Sequence, residues 1–317
     1  MFGRLRIAVT VPAYDEERLI GRTLAGIPPF VDRVIVVDDA SRDGTVAAIV
    51  AAGRLDPRIE LVARERNGGV GAAIKSGYRR FLETGDDVCV VMAGDAQMDP
   101  SDLEALLAPI ASGRADYAKG DRLSVPGVSR VMPRDRLLGN HVFTAMTKWA
   151  SGYWHVIDSQ CGYTAITRAA VEAIDLERVY DRYGVPNDLL IRLNVARQRV
   201  ADVPVRPIYG EEVSGIRPLT TVPRIGALLL RGFLRRMWSR HVRREPHAVV
   251  LLYALGFAAL VAAGIGGVWR LVARLAEAPA SAPGPGLLLA ATGLGLVGLA
   301  LAVLCDRRLN AELRAGA

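Results

Sequence analysis

Two apolar runs near the end of the chain restrict its folding more than any other feature. Residues 248–269 carry no charged side chain, and residues 286–305 are almost wholly apolar. An α-helix rises 1.5 Å per residue, so about 20 residues cross the roughly 30 Å hydrocarbon core of a bilayer. Between the runs lies PASAPGPG, which breaks a helix and turns the chain. The pattern predicts two transmembrane helices, about 248–269 and 286–305, joined as a hairpin. A pair of buried core helices is the alternative, and the flanking arginines argue against it. Arg231, Arg235, Arg236, Arg240, Arg243 and Arg244 precede the first run, and Arg307, Arg308 and Arg314 follow the second. That bias predicts a multi-pass protein of the inner membrane with both ends of the hairpin in the cytoplasm. The opening residues, MFGRLRIAVTVPAYDEE, read as a buried strand and a turn rather than a signal peptide.

Composition fits a chain made of two materials. Mean hydropathy is +0.22, yet 23% of residues are charged and the formal net charge is +7. That pairing excludes a disordered chain, a disulfide scaffold and a collagen-like fibre. Cys89, Cys161 and Cys305 lie far apart, without metal-ligand spacing, as in a reducing compartment. Lysine occurs only at Lys75, Lys119 and Lys148, so nearly all of the 40 basic residues are arginine. A nucleic-acid partner would need a basic face interleaved with aromatics, and aromatics are only 6%. The densest basic run adjoins the apolar segment, which suits an anionic membrane surface. Ile225, Leu228, Leu229, Phe233 and Met237 recur there at roughly helical spacing. They predict an amphipathic helix lying in the headgroup region, which is compatible with packing on the soluble domain. The expected division is 1–218 soluble domain, 219–246 juxtamembrane helix, 247–306 membrane hairpin and 307–317 cytoplasmic tail.

The first two-thirds alternates between strand-like and helical patterns. Strands are expected at 7–11, 33–37, 59–63 and 88–92. Helices are expected at 16–25, 45–52, 70–83 and 101–111, the last opened by Asp99-Pro100-Ser101. Such alternation argues an α/β fold with a mostly parallel sheet covered on both faces. Ligands bind at the carboxyl ends of strands in such sheets. Tyr14-Asp15-Glu16, Asp38-Asp39 and Gly94-Asp95-Ala96-Gln97 fall there. Three acidic clusters at one edge point to a polar ligand and a divalent cation that offsets the carboxylates. A single Asp after a strand is more often a cap or turn residue.

VPAYDEE, VVDDASRDGT, NGGVGAAIKSGY and MAGDAQMDP occur in that order. Together they resemble the family 2 glycosyltransferases of GT-A fold, a Rossmann-like nucleotide-diphospho-sugar transferase architecture. With DRL, a CGY segment, IYGEEVSGI and the hairpin, the layout is similar to the polyprenyl-phosphate (dolichol-phosphate type) sugar transferases. The resemblance covers about residues 5–218, and the hairpin in layout alone. It implies a nucleotide-sugar donor, GDP-mannose or a UDP-hexose, and a polyprenyl phosphate acceptor (undecaprenyl or dolichyl). It leaves a homo-oligomer open.

On this resemblance Pro12, Tyr14 and Glu16 form the first donor loop, Asp39 reads the nucleotide base, and Val37 lines the base pocket through its backbone. Asp15 stands where the family usually has Asn. The family's Asp-X-Asp motif is altered: Ala93 replaces the first Asp, which leaves Asp95 and Gln97 to hold Mg²⁺ or Mn²⁺. Arg122, Arg136 and Asn140 correspond to the acceptor-phosphate cradle, with Arg136 and Asn140 one helical turn apart. Arg130, Arg134 and Lys148 are neighbouring cations. Residues 158–163 resemble the segment facing the donor sugar. Asp188 reads either as a sugar contact or as part of a helix start. The family's diphosphate-binding Arg and Lys are replaced by Tyr209 and Gly215, which leaves Arg206 or Arg217 to supply charge. NGGVGAAIKSG lacks the P-loop order, and its glycines read as close packing at a helix start.

The reaction implied is an inverting transfer in which Asp95, Arg122, Arg136 and Asp188 carry the chemistry. A lipid phosphate is already anionic, so no general base is needed, and none of the four His falls in a donor motif. Two other readings remain: a family 2 transferase acting on a sugar hydroxyl, and a non-catalytic membrane component of a polysaccharide-export system.

Overall fold

The computed structural model describes residues 2–128, 132–208, 218–276 and 282–315. Four strands, β1 (Ile7–Ala13), β2 (Arg33–Asp38), β3 (Ile59–Ala63) and β4 (Val88–Val91), form a parallel half-sheet. The helices between them are α1 (Ile20–Gly26), α2 (Thr45–Leu55) and α3 (Val70–Leu82). α4 (Leu103–Ala111) leads to β5 (Tyr117–Asp121), and α5 (Arg134–Ser151) leads to β6 (Thr164–Thr167). Next come α6 (Arg168–Ala173), α7 (Val185–Val195) and β7 (Val200–Pro204). The seven strands run β3-β2-β1-β4-β6-β5-β7, with β6 alone antiparallel to its neighbours. The α/β, mostly parallel expectation is met.

Strand periodicity builds the core. Ile7, Val9, Val11, Val34, Val36, Val88 and Val90 face one layer, which α1, α2 and α4 cover. Ala8, Ile35, Val37, Cys89 and Val91 face the other, under α3, α6 and α7. Successive side chains of a strand point to opposite faces, and a sheet buried on both faces therefore reads as a continuous apolar run. The Cys89 thiol is pushed up to about 12 by burial, so it packs as an inert small hydrophobe.

The sequence places α1 too early. Residues 15–17 stay out of the helix because their backbone N–H groups bond to the loop after β2. Asp15 N donates to Ser41 Oγ at 3.0 Å, Glu16 N to Thr45 Oγ1 at 2.7 Å and Glu17 N to Asp43 at 3.2 Å. Before α4, Asp99 caps a short turn, accepting from Ser101 N at 2.9 Å. It therefore serves as the cap that Asp99-Pro100-Ser101 suggests.

The chain divides into two compact units, residues 1–233 with 312–317, and residues 234–311. α8 (Pro218–Trp238) begins in the first, where Phe233 stacks on Trp149 with ring centroids 3.9 Å apart. The second unit continues through one π-helical segment, Ser239–Arg244, into α9 (Val249–Leu275) and α10 (Pro285–Leu309). Both are long and apolar enough to cross a membrane. They form a hairpin whose backbones approach at Gly256 and Gly298: a Cβ built on Gly298 would lie 3.3 Å from the Gly256 Cα. Small residues at a helix crossing permit that approach.

Both helices outrun the charge-free stretches of the sequence, and α10 takes in Asp306. Arg236 forks onto this carboxylate, Nη1 to Oδ1 at 2.8 Å and Nη2 to Oδ2 at 3.0 Å, with both side chains fully buried. One turn on, Arg240 Nη1 donates to Asn310 Oδ1 at 2.6 Å. Removing one partner of a buried ion pair strands the other charge, which costs about 3–5 kcal/mol, whereas replacing both with apolar groups is often neutral. Asp306→Ala is therefore expected to lower Tm in detergent sharply, and Arg236→Met/Asp306→Leu to recover most of it. Equal Tm values for the single and double variants would refute this role.

Candidate active site

The loops after β1, β2 and β4 enclose a cavity of about 320 Å³ at the carboxyl edge of the sheet. β1 has β2 on one side and β4 on the other, so the chain order reverses there, as at ligand sites of open α/β sheets. Three non-glycine residues in these loops have positive φ: Asp15 (55°), Ala40 (63°) and Ala96 (55°). Asp and Asn tolerate that region best, which explains both residues at position 15. Asp15 Oδ1 also accepts from Arg42 N at 2.8 Å, tying the first loop to the second.

Pro12, Tyr14, Glu16, Asp39 and Asp95 all line this cavity, as the sequence predicts. The Asp39 carboxylate accepts from Gly68 N at 3.0 Å and Gly69 N at 2.7 Å, and pairs with Arg64 at 2.7 Å. It thereby fixes the glycine loop before α3. Gly71, in the first turn of α3, lies against the segment before α7: a Cβ there would sit 2.1 Å from the Tyr180 carbonyl oxygen. The packing role read for these glycines holds. Val37, expected to line the base pocket through its backbone, has its side chain fully buried in β2 between Pro12 and Val62 and is not among the residues that line the cavity.

Asp95 accepts from Gln97 N at 3.0 Å. Burial raises its carboxyl pKa from the ordinary value. Among the described residues no ion pair neutralises it, and no cluster of three or more His, Cys, Asp or Glu forms a metal site. A divalent cation fits such a carboxylate if Gln97, ligand phosphates and water complete its shell.

Asp95 and Gln97 also line a second, smaller cavity of about 50 Å³, together with Arg122, Arg206 and Tyr163. Arg122 is held rigidly. Its Nε donates to Asp158 Oδ2 at 2.7 Å and its Nη2 to Oδ1 at 3.2 Å, and its own N–H also reaches Asp158. Burial pushes the Asp158 carboxyl up, but the charges of Arg122 and Lys119 outweigh it and hold the group below its usual range. Lys119, fully buried, donates to the Asp158 and Cys161 carbonyls behind it. Arg206 is drawn aside by Asp99 at 2.9 Å and Asp102 at 3.4 Å.

Arg136 and Asn140 share a face of α5 but line neither cavity, and Asn140 donates to Met132 Sδ at 3.4 Å. Asp188 lies outside both cavities too. It pairs with Arg192 at 2.7 Å and accepts from Tyr180 N at 2.9 Å. The helix start proper is Gly184, so Asp188 anchors the preceding loop rather than capping α7. Arg130, Tyr209, Gly215 and Arg217 lie outside the described residues.

The sequence profile of glycosyl transferase family 2 matches residues 8–175. The chain belongs to that family. It is 30% identical to the polyprenol monophosphomannose synthase of Mycolicibacterium smegmatis, over 73% of this chain and 89% of the relative. It is 31% identical to the undecaprenyl-phosphate mannosyltransferase of Micrococcus luteus, covering 63% and 83%. A dolichyl-phosphate N-acetylglucosaminyltransferase from Methanococcus voltae is 27% identical, covering 65% and 86%. Among solved structures, glucosyl-3-phosphoglycerate synthase from Mycobacterium tuberculosis superposes with a TM-score of 0.55 at 21% identity, covering 74% of this chain and 80% of that one. This likeness bears on the fold, which is GT-A. The protein is thus a glycosyltransferase, an enzyme rather than an export component.

Three residues of this glycosyltransferase's cavity escape the sequence reading: Asn67, Arg182 and Tyr183. Asn67 opens the glycine segment and was visible only as part of its packing motif. Arg182 and Tyr183 sit in an irregular loop without periodicity, and they reach the cavity only because α3 and α7 hold that loop.

The Arg122–Asp158 fork yields a test. Asp158→Asn keeps the shape but removes the charge that orients Arg122, and charge-assisted forks are the stronger hydrogen bonds. We expect kcat/KM for the acceptor to fall roughly tenfold or more, a barrier change of about 1.4 kcal/mol per tenfold. The Asp158→Asn/Arg122→Ala enzyme should be no worse than its poorer single variant, because residues acting as one unit are non-additive. Additive losses would separate the two residues.

Proposed function

We propose that the protein moves a sugar from a nucleotide-sugar donor to a polyprenyl phosphate at the cytoplasmic face of the inner membrane, with inversion at the anomeric carbon. The observation that carries this reading is the sharing of Asp95 between the larger cavity and the smaller one bearing Arg122. The donor occupies the larger, with its base toward Tyr14 and Asp39, and the acceptor phosphate approaches Arg122 from the smaller. The names of the relatives, two of them polyprenyl-phosphate mannosyl enzymes, support the same acceptor class.

In this reading an acceptor phosphate oxygen forms the new bond to the anomeric carbon. The bond from that carbon to the donor diphosphate breaks on the opposite face, and the nucleoside diphosphate leaves. The nucleophile is already an anion, so no proton must be removed. Asp95 and Gln97 would hold Mg²⁺ or Mn²⁺, which offsets charge on the leaving diphosphate when bound. Arg122 and Arg136 bind and orient the acceptor, and alignment of this kind can supply several kcal/mol. A sugar hydroxyl acceptor would need a proton acceptor instead. Asp188, the carboxylate first considered for sugar contact, is buried and committed to Arg192 and Tyr180.

Full-length protein in detergent should transfer label from GDP-mannose or a UDP-hexose to undecaprenyl or dolichyl phosphate and release the matching nucleoside diphosphate. EDTA should suppress the reaction and Mn²⁺ or Mg²⁺ restore it. Arg122→Ala and Arg136→Ala should each lower turnover roughly a hundredfold or more, the scale of losing a charge-stabilising group. Transfer to a free sugar hydroxyl, with lipid phosphate inert, would overturn the reading.

A further inference from the structure

The larger cavity holds an unbalanced set of charges. Glu16, Asp39 and Asp95 contribute three carboxylates, and Arg182 is the only cation among its described lining residues. Arg64 and two backbone N–H groups already neutralise Asp39. A donor diphosphate is strongly anionic, so beside a cation held at Asp95 it gains from a positive group on the wall. We propose that Arg182 binds the donor diphosphate, and that the Asp188–Arg192 pair positions it. This inference rests on the donor reading above and adds the residue that grips the phosphates.

The loop that carries Arg182 is stitched down on both sides. Asp188 accepts from Tyr180 N at 2.9 Å, and Arg192, its partner at 2.7 Å, also donates to the Asp175 carbonyl at 3.3 Å and to the Arg178 carbonyl. Both side chains of the pair are 6% exposed, so this anchor is shielded from solvent screening. On the α3 side, Ala72 N donates to the Asp181 carbonyl at 3.0 Å, and Lys75 pairs with the Asp181 carboxylate at 2.5 Å.

Between those anchors the Arg182 stem lies over Gly69. A Cβ on Gly69 would sit 3.0 Å from Arg182 Cγ, and Gly69 has φ +94°, where a side chain is strained in any case. The guanidinium itself is exposed, has no hydrogen-bond or ion-pair partner among the described residues, and sits beside Tyr183 at the cavity wall. A rigid stem with an uncommitted planar head suits bidentate phosphate binding.

Calorimetry on the full-length protein in detergent, at fixed Mn²⁺, tests this with UDP, GDP, uridine and guanosine. Arg182→Ala should weaken the preferred nucleoside diphosphate at least tenfold and leave the nucleoside within twofold. Arg182→Lys should recover part of the loss. Asp188→Asn should weaken diphosphate binding as well, and adding it to Arg182→Ala should cost little more. Should Asp188→Asn fail to fold, the Arg182 pair of variants still decides. Diphosphate binding unchanged in Arg182→Ala, an equal loss for the nucleoside, or a wild type that binds neither diphosphate would each overturn the inference. Wild-type protein that binds diphosphate through Arg182 yet transfers nothing to polyprenyl phosphate would overturn the acceptor reading alone.

Discussion

Everything at this site follows from the cost of crowding carboxylates at one sheet edge. Asp15, Glu16, Asp38, Asp39 and Asp95 all follow β1, β2 or β4, and each charge must be met by a donor or stay wet. Asp38 accepts from Ser41 N, Asp15 from Arg42 N, and Asp39 from two glycine N–H groups and Arg64. Those bonds shape the loops, and Asp15, at positive φ, ties the first loop to the second. The Asp95 carboxylate accepts from the Gln97 N–H and has no ion pair among the described residues. A carboxylate without an ion pair thus sits where two cavities meet, a place suited to a cation that bridges it to phosphates.

Legibility followed the range of the interactions. β1 to β4 and α2 to α4 were visible because period-2 and period-3.6 patterns are local, and β3 appears with the bounds expected, Ile59–Ala63. Five of the seven residues assigned to the donor and metal lie on the larger cavity, since each sits at a fixed offset from a strand end. Val37 lies inside β2 with its side chain buried, and in a continuous apolar run strand interior and strand end look alike. Asp188 could be placed on a helix but not given its partner, because Tyr180 comes from the preceding loop and Arg192 from the next turn. Arg182 was invisible: nothing in its neighbours' spacing records that Gly69, from a different part of the chain, supplies the shelf for its stem.

The hairpin shows the same rule from the other side. An aspartate inside an apolar helix is expensive unless paired, and Asp306 is met by Arg236 from an element far away in sequence. The charge-free runs located the helices, but not their ends, because the true limits depend on that pairing. The arginine-rich stretch is thus divided in purpose. Arg236 and Arg240 are buried and bonded to α10, whereas Arg231, Arg243 and Arg244 are exposed, as residues that meet an anionic surface must be.

The two arginines proposed for the acceptor, Arg122 and Arg136, differ in how they are held. Arg122 is locked by Asp158 before any ligand arrives, so binding to it costs little side-chain entropy. Arg136 stands on α5, and Leu138, Val142 and Met146, which recur every four residues and are 67%, 50% and 37% exposed, lie on roughly the opposite side of that helix. A free-standing sugar or phosphate gains nothing from that stripe. Arg136 and Asn140 lie one turn apart on the other side, so an anionic group held there is separated from that row by the width of the helix.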